Sequence, residues 1–129
     1  MDAEIRKALV AASLEARSAA YAPYSEFFVG ASLLTASGKI VSGCNVENAS
    51  YGLCFCAERT AIVKAVSQGE QEFVAFAVAT EAGGTPCGAC RQFIAEFCGG
   101  ETLVIVHDTT TGEEVDYRLD ELLPHAFRF

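Results

Sequence analysis

Seven consecutive apolar residues occupy positions 73–79, and a second apolar run occupies 103–106. A strand that does not alternate apolar with polar residues is buried on both faces. Between the two runs, residues 88–97 carry a helical pattern that ends at Gly99-Gly100. Two buried strands joined through a helix make a βαβ crossover, and helices must then cover both faces of the sheet. The expected fold is therefore an α/β protein, a three-layer α/β/α sandwich. Strands at 27–34 and 39–43, separated by the Ser37-Gly38 turn, form an antiparallel hairpin. With a more polar strand at 113–117 they complete a mixed five-stranded sheet.

The remaining segments fit this plan. Residues 2–20 read as an amphipathic helix with Ile5, Leu9, Ala12 and Ala16 on its apolar stripe, and Pro23 lies beyond its end. Residues 44–55 are irregular, a second helix covers 57–66, and a short helix falls near 120–123. Nothing in the 129 residues marks a linker or a repeat, so one domain over 1–129 is expected.

Composition narrows the function classes. The chain is 51% hydrophobic and 20% charged, with a net charge of -8 and no cluster of Lys or Arg. Nucleic-acid binding draws on cationic contacts to phosphate, so no nucleic-acid partner is expected. No apolar run approaches the roughly 20 residues that span a bilayer, so no membrane partner is expected either. The first 23 residues contain no uninterrupted apolar stretch of a secretory leader. A cytoplasmic location follows, where thiols stay reduced. The six cysteines then point to metal binding or catalysis rather than to disulfides.

Chemistry concentrates in two segments, Cys56-Ala57-Glu58 and Pro86-Cys87-Gly88-Ala89-Cys90, each at a predicted helix start. Alone, a Cys-x-x-Cys pair is equally a redox pair, half of a structural knuckle or part of a catalytic site. Cys56 upstream supplies a third thiolate. Three thiolates and one open position are the plan of a catalytic Zn²⁺ site, one ion per chain, whereas a structural site closes with a fourth ligand. Exposed N–H groups and the helix dipole favour thiolates at helix N-termini. Three thiolates on Zn²⁺ leave a net negative charge, and Arg59 and Gln92 are placed to donate hydrogen bonds to sulfur and draw that charge off. Glu58, two residues after a ligand, can serve a metal-held water as general acid/base without ligating the metal. Cys54 is the rival ligand outside this spacing. Cys44, Cys54 and Cys98 otherwise read as small buried hydrophobes. His107 and His125 lie far from both segments and read as structural.

The pairing of Cys-Ala-Glu with Pro-Cys-x-x-Cys matches the signature of zinc-dependent deaminases. Across nearly its whole length the chain resembles the small homotetrameric cytidine deaminases. The matching stretches are Tyr21-Ala-Pro-Tyr-Ser25, Phe27-x-Val-Gly-Ala31, Gly43-Cys-Asn-Val-Glu-Asn48, Cys56-Ala-Glu-Arg-Thr60, Pro86-Cys-Gly-Ala-Cys-Arg-Gln92, and Leu122-Leu-Pro124 with Phe127. The resemblance implies zinc-dependent hydrolysis of free cytidine and deoxycytidine to uridine and deoxyuridine. It also implies that Asn45 and Glu47 hold the ribose, Glu47 through the 3′-hydroxyl. Phe27 would pack on the nucleoside, and the Ala57 N–H would meet the base carbonyl. Tyr51 and Phe127 would complete pockets across the boundaries of a homotetramer, with Phe129 a competitor for the stacking role. Without the resemblance, Asn45 and Glu47 read as a solvated loop, Phe27 and Phe127 as core or tail residues, and Tyr24 and Ser25 as turn residues. Two other functions stand beside this one: a related deaminase acting on a nucleotide, a nucleic-acid base or a nucleoside antibiotic, and a non-enzymatic zinc-binding module.

Overall fold

The two apolar runs form β3 (Phe73–Thr80) and β4 (Leu103–Asp108) in the computed structural model, which describes residues 1–129. They pair in parallel, from Ala75 opposite Leu103 to Thr80 opposite Asp108. The crossover between them is α3 (Gly88–Phe97). The hairpin is β1 (Gly30–Thr35) and β2 (Ile40–Cys44), and the polar strand is β5 (Glu114–Arg118). Strand order is β2-β1-β3-β4-β5, and every pairing except β3 with β4 is antiparallel. This is the mixed five-stranded sheet expected from the sequence.

Alternate residues of the central strands serve opposite faces. Leu33, Phe76, Val104 and Val106 pack with α2 (Ala57–Ser67), α3 and the short α4 (Leu119–Leu122). Leu34, Ala75, Ala77 and Ile105 pack on the other face with Leu9 and Val10 of α1 (Ala3–Arg17). Both faces are covered, so three layers result; within the run 73–79 Val74, near the start of β3, is 48% exposed and the other six residues are buried.

Three details differ from the sequence-based expectation. First, α1 buries Leu9, Val10 and Ser13, while Ile5 is 41% exposed. The helix lies so close to β1 that a Cβ on Gly30 would stand 1.9 Å from the Ser13 carbonyl oxygen. The Ser32 hydroxyl donates to the Leu9 carbonyl at 2.6 Å in the same contact. Second, α1 stops at Arg17 rather than near residue 20. Tyr21 is drawn into an extended bridge with Val46, and its N–H donates to the Asn45 carbonyl at 3.0 Å. Third, β1 begins at Gly30 rather than at Phe27. The Asn45 side chain binds the Phe27 carbonyl at 2.7 Å and the Val29 N–H at 2.9 Å, in place of a neighbouring strand.

Candidate metal and substrate site

The N-termini of α2 and α3 meet beside the carboxyl end of β3, where crevices of α/β sheets take ligands. Cys56 is the N-cap residue of α2, and Cys87 is the N-cap residue of α3. The Cys90 N–H, in the first turn of α3, donates to the Cys87 sulfur at 3.5 Å. The Cys56 and Cys87 sulfurs are 3.8 Å apart, those of Cys87 and Cys90 are 3.4 Å apart, and all three lie within 4.8 Å of one another. Sulfurs placed about 2.3 Å from a common tetrahedral centre stand about 3.8 Å apart. The donor set and its spacing therefore fit Zn²⁺, held by Cys56, Cys87 and Cys90. All six cysteines are free thiols. Cys54 stands outside the sulfur cluster, and its sulfur accepts the Asn48 N–H at 3.3 Å.

Cys56 is displaced toward the thiolate, chiefly by hydrogen bonding with Cys90 and then, against the cost of burial, by the Arg59 guanidinium. Arg59 Nη2 lies 3.6 Å from the Cys56 sulfur and 3.2 Å from the Cys54 carbonyl, and the guanidinium covers the Phe55 ring at 5.2 Å. Hydrogen bonding to Cys56 raises the Arg59 pKa further, so the cation is permanent. Its Nε is buried without a partner. Gln92 sits elsewhere than expected. Its amide donates to the Phe127 carbonyl at 2.9 Å, not to a sulfur.

Glu58 follows Ala57 into the first turn of α2 and is only 4% exposed. Burial pushes its carboxyl up to about 7, with the neighbouring Cys56 thiolate adding to the shift. A carboxyl titrating near neutrality can both take and give a proton.

These groups open on a cavity of about 450 Å³ lined by Phe27, Asn45, Glu47, Tyr51, Cys56, Ala57, Glu58 and Cys87. The volume lies within the usual range for small-molecule sites. Ala57 is fully buried, and its N–H belongs to the first turn of α2, where helical donors lack intrahelical partners. Phe127 lies outside this cavity, is 68% exposed, and meets Phe129 edge-on at 5.4 Å. His107 pairs with Glu114 at 3.2 Å on the sheet, away from the site.

Tyr24 and Ser25 are more than turn residues. The Glu47 carboxylate accepts the Tyr24 N–H at 3.0 Å, the Ser25 N–H at 3.2 Å and the Ser25 hydroxyl. The Ser25 hydroxyl foremost, and the two N–H groups after it, hold the Glu47 carboxyl below its ordinary range. No local pattern marks this contact, which joins residues 22 apart. The nearest sequence signal is a small polar residue two positions before Phe27. Val78, Thr80 and Thr85 also line the cavity and carry no motif of their own.

Comparison with known proteins places this geometry. The family model of the cytidine and deoxycytidylate deaminase zinc-binding region matches residues 3–107. The chain is 48% identical over 124 residues to a cytidine deaminase of Halalkalibacterium halodurans, covering 95% of this chain and 93% of the relative. It is 50% identical over 121 residues to that of Sporosarcina psychrophila, covering 92% and 88%. The crystal structure of cytidine deaminase from Burkholderia pseudomallei superposes with a TM-score of 0.89 at 46% identity, covering 98% of this chain and all of that one.

Proposed function

The chain belongs to the zinc-binding cytidine and deoxycytidylate deaminase family, and from that premise we infer that it hydrolyses free cytidine and deoxycytidine to uridine and deoxyuridine. The observation that carries this reading is the Cys56, Cys87, Cys90 cluster beside buried Glu58 at the floor of a nucleoside-sized cavity. When bound, Zn²⁺ supplies a Lewis acid that makes water nucleophilic near neutral pH.

Every other role falls to the chain itself. Glu58 takes a proton from the attacking water and delivers it to N3 of the pyrimidine as oxygen bonds to C4. Glu58 then takes the proton of the new C4 hydroxyl and passes it to the amine at C4, the C4–N bond breaks, the C4 carbonyl forms, and ammonia leaves. Water and cytidine are consumed, and uridine and ammonia are formed. The Ala57 N–H holds the base carbonyl, Phe27 packs on the nucleoside, and Asn45 and Glu47 fix the sugar. Arg59 withdraws charge from the Cys56 sulfur, which keeps the metal a competent Lewis acid.

A nucleotide substrate is disfavoured. The cavity presents the carboxylates of Glu47 and Glu58, and its one guanidinium, Arg59, is engaged by sulfur, a carbonyl and Phe55. Ammonia release by the zinc-loaded protein tests the assignment, with cytidine, deoxycytidine, cytosine and cytidine 5′-phosphate side by side. Turnover of the first two with little of the others supports it. Silence on all four overturns it.

The catalytic unit is one domain over residues 1–129, working in the cytoplasm as a homotetramer with sites shared between subunits. Support for the assembly comes from exposed apolar groups around the cavity mouth and tail: Tyr51 at 79%, Leu53 at 64% and Phe127 at 68%. Soluble monomers seldom expose such patches, and closed symmetric association would cover them. No helix is long and apolar enough to cross a membrane. Sedimentation of an active species at four times the chain mass supports the tetramer, and a fully active monomer rules it out.

A further inference from the structure

We propose that Ser25 is a positioning residue that sets the sugar selectivity of the site by locking Glu47 and Phe27 into one unit. The proposal rests on the reading that Glu47 meets a sugar hydroxyl.

One hydroxyl serves both substrate-facing groups. Ser25 Oγ donates to one Glu47 carboxylate oxygen and accepts the Phe27 N–H at 3.0 Å. The other Glu47 oxygen accepts the Tyr24 and Ser25 N–H groups. The Phe27 carbonyl is held by Asn45 at 2.7 Å, so both polar backbone groups of Phe27 are fixed. Between Ser25 and Phe27, Glu26 adopts a left-handed backbone with φ of 57°. That conformation is costly for a non-glycine residue and persists only where surrounding contacts over-determine it. Ser25 itself does not line the main cavity. It lies in a side recess behind Glu47 and Tyr51, and therefore acts through the groups it holds.

The consequence for selectivity follows from counting acceptor sites. An ionised carboxylate has about four lone-pair sites and no donor. Three of those on Glu47 are filled by the Tyr24–Ser25 segment. One acceptor site remains, and it takes a single hydroxyl donor. A ligand without that hydroxyl leaves it unpaired, which is the arrangement that rejects analogues most strongly. Without the Ser25 hydroxyl the carboxylate has two free sites and more rotational freedom, so discrimination should fall.

The test uses zinc-loaded wild type, Ser25→Ala and Ser25→Thr. Calorimetry measures binding of uridine and 3′-deoxyuridine, and steady-state kinetics measures cytidine and 3′-deoxycytidine. Zinc content and thermal melting are recorded for each protein. The expected result is that Ser25→Ala keeps its zinc, raises KM for cytidine more than it lowers kcat, and reduces the preference for the 3′-hydroxyl ligand about tenfold. Ser25→Thr, which keeps the hydroxyl, should recover most of that preference. If wild type discriminates and Ser25→Ala discriminates equally well, the Ser25 role is overturned while Glu47 keeps its sugar contact. If wild type does not discriminate, the Glu47 reading fails and takes this one with it. Should Ser25→Ala not fold, Ser25→Gly removes the same hydroxyl from a more permissive loop. Failure of both to fold assigns Ser25 to stability and overturns the selectivity role.

Discussion

The Gln92 carboxamide donates to the Phe127 carbonyl across 2.9 Å, a contact between residues 35 positions apart. The helix that carries Cys90 therefore also holds the C-terminal tail. Arg128 reinforces it with bonds to the carbonyls of Ala95 at 2.6 Å and Cys98 at 3.0 Å, and Arg91 binds the Leu122 carbonyl. Gln92→Ala should keep one zinc per chain and leave the thiolate-to-metal charge-transfer band of the cobalt-substituted protein unmoved. Loss of one neutral hydrogen bond is worth about 1 kcal/mol, so KM for cytidine should rise about fivefold as the tail loosens. A shifted cobalt band with unchanged KM would return Gln92 to the metal.

The three sulfurs of the cluster act together. Cys56→Ala, Cys87→Ala and Cys90→Ala should each lose zinc by elemental analysis. Cys54→Ala should retain it, because the Cys54 sulfur is committed to the Asn48 N–H. Full zinc in any of the first three removes that residue from the ligand set.

Glu58→Gln should fold and bind zinc but lose activity by a factor of about 10²–10⁴, the usual worth of a general acid/base. Glutamine fills the buried volume without a titratable proton. Near-normal ammonia release from this variant would take Glu58 out of the reaction.

Gly30→Ala should destabilise strongly. The added Cβ would meet the Ser13 carbonyl at 1.9 Å and the Arg17 N at 2.5 Å, both backbone atoms that cannot rotate away. Overpacking of this kind typically costs about 1–3 kcal/mol or more. Urea denaturation should show the midpoint falling with little change in slope. Gly52→Ala, where a Cβ meets nothing within 4 Å, serves as the control.

Arg6 ties α1 to the edge strand β5 through Asp116 at 2.6 and 2.9 Å and Glu114 at 3.2 Å. The Arg6 guanidinium lowers the Asp116 pKa from its ordinary 3.8. A depressed carboxyl adds stability above its unfolded pKa and loses it as pH falls through the folded value. Arg6→Ala should therefore cost at most about 1 kcal/mol at pH 7, since these groups are partly solvated and screened. That cost should shrink as pH falls below 3.8 and through the lowered folded value of Asp116, and 1 M salt should shrink it at pH 7. A cost that does not fall as Asp116 is protonated would place the Arg6 contribution in packing rather than charge.

Sequence by itself determined the elements that depend on neighbours along the chain. The unbroken apolar run 73–79 required burial on both faces, and the structure sends Phe76 to one helical layer and Ala75 and Ala77 to the other. The Cys56, Cys87 and Cys90 cluster, with Glu58 beside Cys56, was legible because Cys56-Ala57-Glu58 and Cys87-Gly88-Ala89-Cys90 are each local patterns at a helix start, although the two starts meet across 31 positions. Tertiary structure alone decided which polar groups meet across the fold. Gln92 looked as near to sulfur as Arg59 does, yet it faces the tail, and its partner depends on where residues 122–129 return to α3. Ser25 looked like a turn residue until Glu47 arrived from 22 positions away. The buried face of α1 shifted to Val10 and Ser13 because Gly30 lets the helix settle closer to the sheet than its apolar stripe alone indicates. Hydrophobic periodicity records burial averaged over a turn or a pleat, whereas a hydrogen bond depends on a single distance set by the packing of whole layers.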